Sequence, residues 1–88
     1  MNMMAILALT AAASNFLPVQ QKLDQIDRTF ICPEDLPSDE ARDAAMNLFV
    51  EQVRSLDPSA TVANLVAYRY SLLVKHQCVK TLDIMKRN

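Results

Sequence analysis

The 88-residue chain contains no glycine. Tight hairpin turns and phosphate-cradling loops use glycine to enter the φ > 0 region, so its absence argues against β-hairpin folds and excludes P-loop and dinucleotide-binding fingerprints. Histidine occurs once and cysteine twice. Cys32 and Cys78 stand 46 positions apart, which rules out a CxxC motif, and two cysteines with one histidine are too few for a Cys-based zinc site. His76 and Cys78, two positions apart on one helix, point to different sides and make a poor nucleophile pair. HExxH, GxSxG, carboxylate pairs of catalytic spacing and a glycosylation sequon are also missing. The expectation is a protein without enzymatic activity, cofactor or metal.

Charge is absent before Lys22. Residues 3–13 form an apolar run of eleven, broken only by Thr10, which suits the hydrophobic region of a secretory leader and is short for a membrane span. Small residues follow where a signal peptidase cuts, with Ala11 and Ala13 before Ser14, or Ala12 and Ser14 before Asn15. The four leading residues carry no Lys or Arg, unlike an ordinary leader. The expected organisation is a signal peptide over 1–14 and one small helical domain over 15–88. Two alternatives stay open: a retained Met- and Ala-rich first helix, and an uncleaved anchor, the only route to membrane contact.

What the chain does have is the composition of a packed protein, 51% hydrophobic and 22% charged. Val19, Leu23, Ile26 and Phe30 recur at helical spacing after Pro18. Pro33 and Pro37 then interrupt any helix and mark a short linker. Ser38 is a good N-cap, with Asp39, Glu40 and Asp43 near the positive end of the helix dipole. From there Ala41, Ala45, Leu48, Phe49, Val53 and Leu56 form one apolar stripe. Asp57 or Ser59 is the expected cap of the next helix, with Pro58 in its first turn; Val62, Leu65, Val66, Leu72 and Leu73 supply its stripe. Val79, Leu82 and Met85 predict a last short helix ending on Lys86 and Arg87. The fold class is therefore all-α: a small helical bundle built on an antiparallel helix hairpin, because so short a connection makes the two central helices neighbours.

In that hairpin Cys32, before the first central helix, lies beside Cys78, after the second. In an exported protein such an even pair reads as a disulfide staple, which the chain-entropy model values at about 4 kcal/mol for a loop of this length. In the cytosol the same pair would be two buried thiols. Charge is divided along the chain, with nine acids against three arginines over 24–57 and five bases against Asp83 over 69–88. The staple would draw Glu34, Asp35 and Asp39 toward Lys75, His76 and Lys80 in a charge clamp, or leave them as a solvated surface of weak pairs. The net charge of −1 and the few, scattered bases make nucleic acid a poor partner. Arg69, on the apolar side of its helix, reads as a ligand contact or as a snorkelling side chain; Tyr68 and Tyr70 on either side of it are candidate contact residues. Met46 and Met85 read as core filler.

With Cys32 followed by Glu34, Asp35 and Leu36 near a helix start, and Cys78 at a helix end, the chain resembles the small periplasmic acid-stress chaperones of the HdeA/HdeB-like family. The resemblance spans roughly 32–78. It implies an all-helical, disulfide-linked and often dimeric protein that loosens in acid and shields clients with apolar surface. Together these readings lead to the expectation of a periplasmic or secreted module that binds a protein partner or itself. The alternative is a cytoplasmic structural or regulatory subunit whose N-terminal helix completes a bundle.

Overall fold

Residues 19–87 are the part of the chain that the computed structural model describes, and they hold helices and turns with no strand among them. The expected leader, 1–14, lies outside the described residues. Helix α1 covers residues 19–29, a single 3-10 turn follows at Pro33–Asp35, and then come α2 (Asp39–Leu56), α3 (Val62–Lys75) and α4 (Val79–Arg87). The protein is thus all-α, stapled by a disulfide between Cys32 and Cys78.

Local chemistry sets most of these boundaries. The expected linker is a 3-10 turn with Pro33 at its start, where a missing N–H costs nothing. Ser38 caps α2, its hydroxyl accepting from the Ala41 amide at 3.1 Å. Arg42 ties the turn to this helix: Nε donates to the Pro33 carbonyl at 2.9 Å, one Nη to the Leu36 carbonyl at 3.3 Å, and the other pairs with Asp39 at 2.7 Å. The start of α3 falls later than expected. Asp57 folds its carboxylate onto the amide and hydroxyl of Ser59 in a local turn, and neither residue caps the helix. The cap is Thr61, in a reciprocal box in which its hydroxyl accepts from the Asn64 amide and the Asn64 side chain accepts from the Thr61 amide, both at 3.1 Å.

A core of Ile26, Phe49, Leu65 and Leu72 joins α1, α2 and α3, with Phe30, Val53, Leu56 and Tyr68 packed around it. Helices α2 and α3 meet through side chains, the rings of Phe49 and Tyr68 lying 5.5 Å apart. Among the 3-10 turn, α2, α3 and α4, the backbones come together mainly between α3 and α4 and between α4 and the 3-10 turn. The expected antiparallel hairpin rested on connection length alone, and the backbone contacts do not establish it: among these elements they gather at the disulfide end and not along α2 and α3. Two stripe assignments need correction. Val62 and Val66 of α3 are 69% and 58% exposed, and Leu48 of α2 is 54% exposed, so only part of each stripe is covered. Met46 and Met85, expected as filler, also stand at the surface.

Candidate functional site

Two regions could carry function: the disulfide end and an apolar cleft between α2, α3 and α4. The first is built on the way α3 stops. Its last turn closes with the Gln77 amide bonded to the Val74 carbonyl at 3.1 Å and the Cys78 amide to the Leu73 carbonyl at 2.9 Å. This paired closure requires a left-handed residue between helix and exit, a place usually taken by glycine. The chain has none, and Gln77 adopts φ 55° instead. The turn delivers Cys78, fully buried beside Leu73, to Cys32, with the two Cα atoms 5.3 Å apart.

Cys78 also precedes α4, its carbonyl accepting from the Leu82 amide at 3.0 Å. Its side chain is held in the disulfide and cannot cap the helix. Glu34 does so from the other side of the bond, its carboxylate accepting from the Lys80 and Thr81 amides at 2.9 and 3.1 Å and from the Thr81 hydroxyl at 2.8 Å. Partial burial pushes the Glu34 carboxyl up, but the Thr81 hydroxyl and the two amides outweigh it and hold it below its ordinary value. The cap therefore acts through the ionised form.

The bases at the end of α3 find a different acid. Asp27 of α1 pairs with Lys75 through one oxygen and with His76 Nε2 at 2.8 Å through the other. An ionised carboxylate only accepts, so Nε2 carries the hydrogen of that bond. The ring of Phe30 lies 5.2 Å from that of His76 and packs beside it. The hydrogen bonds from Lys75 and then His76 hold the Asp27 carboxyl below the usual range, and the same bond to Asp27 holds the Lys75 ammonium above its own. Of the residues expected in the clamp, Glu34 meets the backbone of Lys80 rather than its ammonium, Lys75 and His76 meet Asp27, and Asp39 pairs with Arg42 within its own helix. Asp35 is exposed and makes no ion pair with a described residue.

Cys32, Glu34 and Cys78 place candidate metal-ligating atoms within 4.8 Å of one another. Both sulfurs are bonded to each other, however, and the carboxylate already accepts three hydrogen bonds, so the oxidised cluster offers no thiolate to a cation.

The second region is a cleft of about 370 Å³. Phe49 and Leu65 form its floor, Val62, Val66 and Tyr70 of α3 one wall, and Met85 of α4 contributes from the side. Among the described residues, two arginines, Arg54 and Arg69, are its only charged lining residues. A neighbouring cleft of about 330 Å³, reaching Phe30 and Leu36, shares Met46, Phe49 and Arg69 with it. Arg69 is half-buried, and this burial lowers the pKa of its guanidinium. The two candidate tyrosines differ: Tyr68 packs on the core, its hydroxyl pKa raised by burial and then by the Asp27 charge, while Tyr70 is 49% exposed.

Asp27, Thr81, Gln77 and Arg54 were not singled out by the sequence. Asp27 and Thr81 act across separations of 48 and 47 residues, for which no local spacing is a signal. Gln77 had one, since a glycine-free chain must close its helices with some other residue. No protein-family model matches the chain, and neither the curated proteins nor the solved structures provide a match.

Proposed function

We propose that this protein is an exported, periplasmic helical module that holds a protein partner on apolar helix surface, and that acid loosens it. The observation that carries this reading is the Cys32–Cys78 disulfide joined to a structure that leaves Val62, Val66, Tyr70 and Met85 uncovered. Disulfides persist outside reducing compartments, and an apolar strip with polar surroundings is the usual mark of a contact surface. No helix among the described residues is long and apolar enough to cross a membrane. Acid sensitivity is supported by Asp27 and Glu34, two carboxylates that bond α1 to α3 and the 3-10 turn to α4 and whose pKa values those bonds hold below the ordinary ones. Binding rather than catalysis is supported by the same groups, which satisfy one another and point no reactive atom into either cleft.

The uncovered strip on α3 favours one other reading, a cytoplasmic subunit whose retained N-terminal helix completes the bundle. Intact mass of the protein from its native cell decides between them. Export predicts loss of the opening residues together with the mass deficit of a disulfide; a full-length chain with two free thiols would overturn it.

A further inference from the structure

The larger cleft has a composition that narrows what can fill it. Among the described residues its walls are otherwise apolar, and its only charges are Arg54 and Arg69. No carboxylate of the described residues pairs with either guanidinium. Residues 1–18 contain no Asp or Glu, so that segment has no acidic side chain to bring to them. A half-buried guanidinium with apolar neighbours and no carboxylate paired to it gains more from an incoming carboxylate than an exposed one would, because little water competes for it.

The shape of the strip agrees with a helix as occupant. Val62, Val66 and Tyr70 follow one another at four-residue steps and are all exposed, a ridge about 12 Å long by the helical rise. Such a ridge beside a groove is read by apolar side chains at i, i+3/i+4 and i+7 of a facing amphipathic helix. Hydrocarbon burial would supply the attraction, and the arginines would set partner choice and register.

We infer that the α2–α3–α4 cleft docks an acidic amphipathic helix of a partner protein, with an Asp or Glu of that helix placed on Arg69 and a second acid available to Arg54. The inference rests on the protein-binding reading above and gives that partner its chemistry. Self-association through this strip is a competing outcome. So is a helix bound through apolar contact alone.

The test is a display library of randomised helical peptides selected on the oxidised full-length protein. The expected winners combine apolar residues at helical spacing with at least one acid. Converting that acid to its amide in a synthesised winner weakens binding to the native protein about tenfold and to the Arg69→Gln protein by about twofold or less. Arg54→Gln, at an exposed position, provides a second cycle should the Arg69 variant fold poorly. Val66→Asp abolishes binding. Winners without acids, or an amide change with equal effect on native and variant proteins, overturn the inference and leave the protein-binding reading standing. A native dimer that Val66→Asp converts to monomer overturns it in favour of a second copy. Selection of no peptide at all counts against the protein-binding reading itself.

Discussion

The disulfide end and the apolar cleft treat polar and apolar groups in opposite ways. At the disulfide end the groups most in need of partners have them: Glu34 caps α4, Asp27 takes both Lys75 and His76, and Leu73 and Cys78 are fully buried. In the cleft the reverse holds. Val62, Val66 and Tyr70 lie open, and neither Arg54 nor Arg69 pairs with a carboxylate of the described residues. The difference separates what holds the protein together from what it can offer. Substitutions at the first region should be read out in stability, and substitutions at the second in binding.

Breaking the covalent tie tests that division most severely. The bond closes a loop of 46 residues, and chain entropy puts its loss at about 4 kcal/mol, a large share of what so small a core supplies. Cys32→Ser with Cys78→Ser should lower the unfolding free energy by that amount, seen as a lower denaturant midpoint by circular dichroism. Leu73→Ala follows. It removes a side chain with no exposure and should cost about 3 kcal/mol with the disulfide intact. If Val66→Ser cost as much as Leu73→Ala, the two regions would not differ in the way described.

The disulfide end was partly legible in the sequence because some of its determinants are local or countable. Ser38 precedes acids and an apolar stripe, and it caps α2 as such a pattern demands. Two cysteines allow a single pairing within the chain, and the leader-like start favoured its formation. Thr61 was missed because Pro58 drew the helix start forward, and because Asn64 closes its capping box where Glu or Gln is the usual signal. Asp27 was missed for a different reason. Spacing assigned it to α1, but which side of α1 meets the end of α3 depends on how three helices pack, and periodicity does not encode that. The cleft was the least legible part. A stripe at 3.6-residue spacing says that Val62 and Val66 share a face with Leu65, not whether another element covers them.

Acid should affect the disulfide end next most. Asp27 and Glu34 have folded-state pKa values below their unfolded ones, so their stabilisation is complete above the ordinary carboxyl range and disappears as pH falls through the folded values. Lys75 works in the opposite sense: raised when folded, its contribution is present at neutral pH and lost only as pH rises through the folded value in the alkaline range. The thermal midpoint should therefore be level near neutrality and fall on the acid side below about pH 4. Asp27→Asn and Glu34→Gln should each lower the neutral midpoint and shrink the acid fall. The Glu34 variant should also speed amide exchange at Lys80 and Thr81. An acid limb unchanged by both variants would remove these carboxylates from the account of acid response.

The smallest change is a stabilising one, and it concerns the residue that the lack of glycine puts in an awkward position. Gln77 holds φ 55° so that α3 can end and Cys78 can turn toward Cys32. A Cβ in the left-handed region costs on the order of 1 kcal/mol, which glycine avoids, while glycine's greater freedom in the unfolded chain takes back part of the gain. Gln77→Gly should therefore raise stability by about 0.5 kcal/mol, measurable as a higher denaturant midpoint with an unchanged slope. Gln77→Val should do the reverse and by more, since β-branching is poorly tolerated there. Neither change touches a cleft residue, so peptide binding should stay as it was. If glycine at this position lowered stability, the helix end would be held by the Gln77 side chain rather than merely tolerating it, and the strain assigned to this turn would be misplaced.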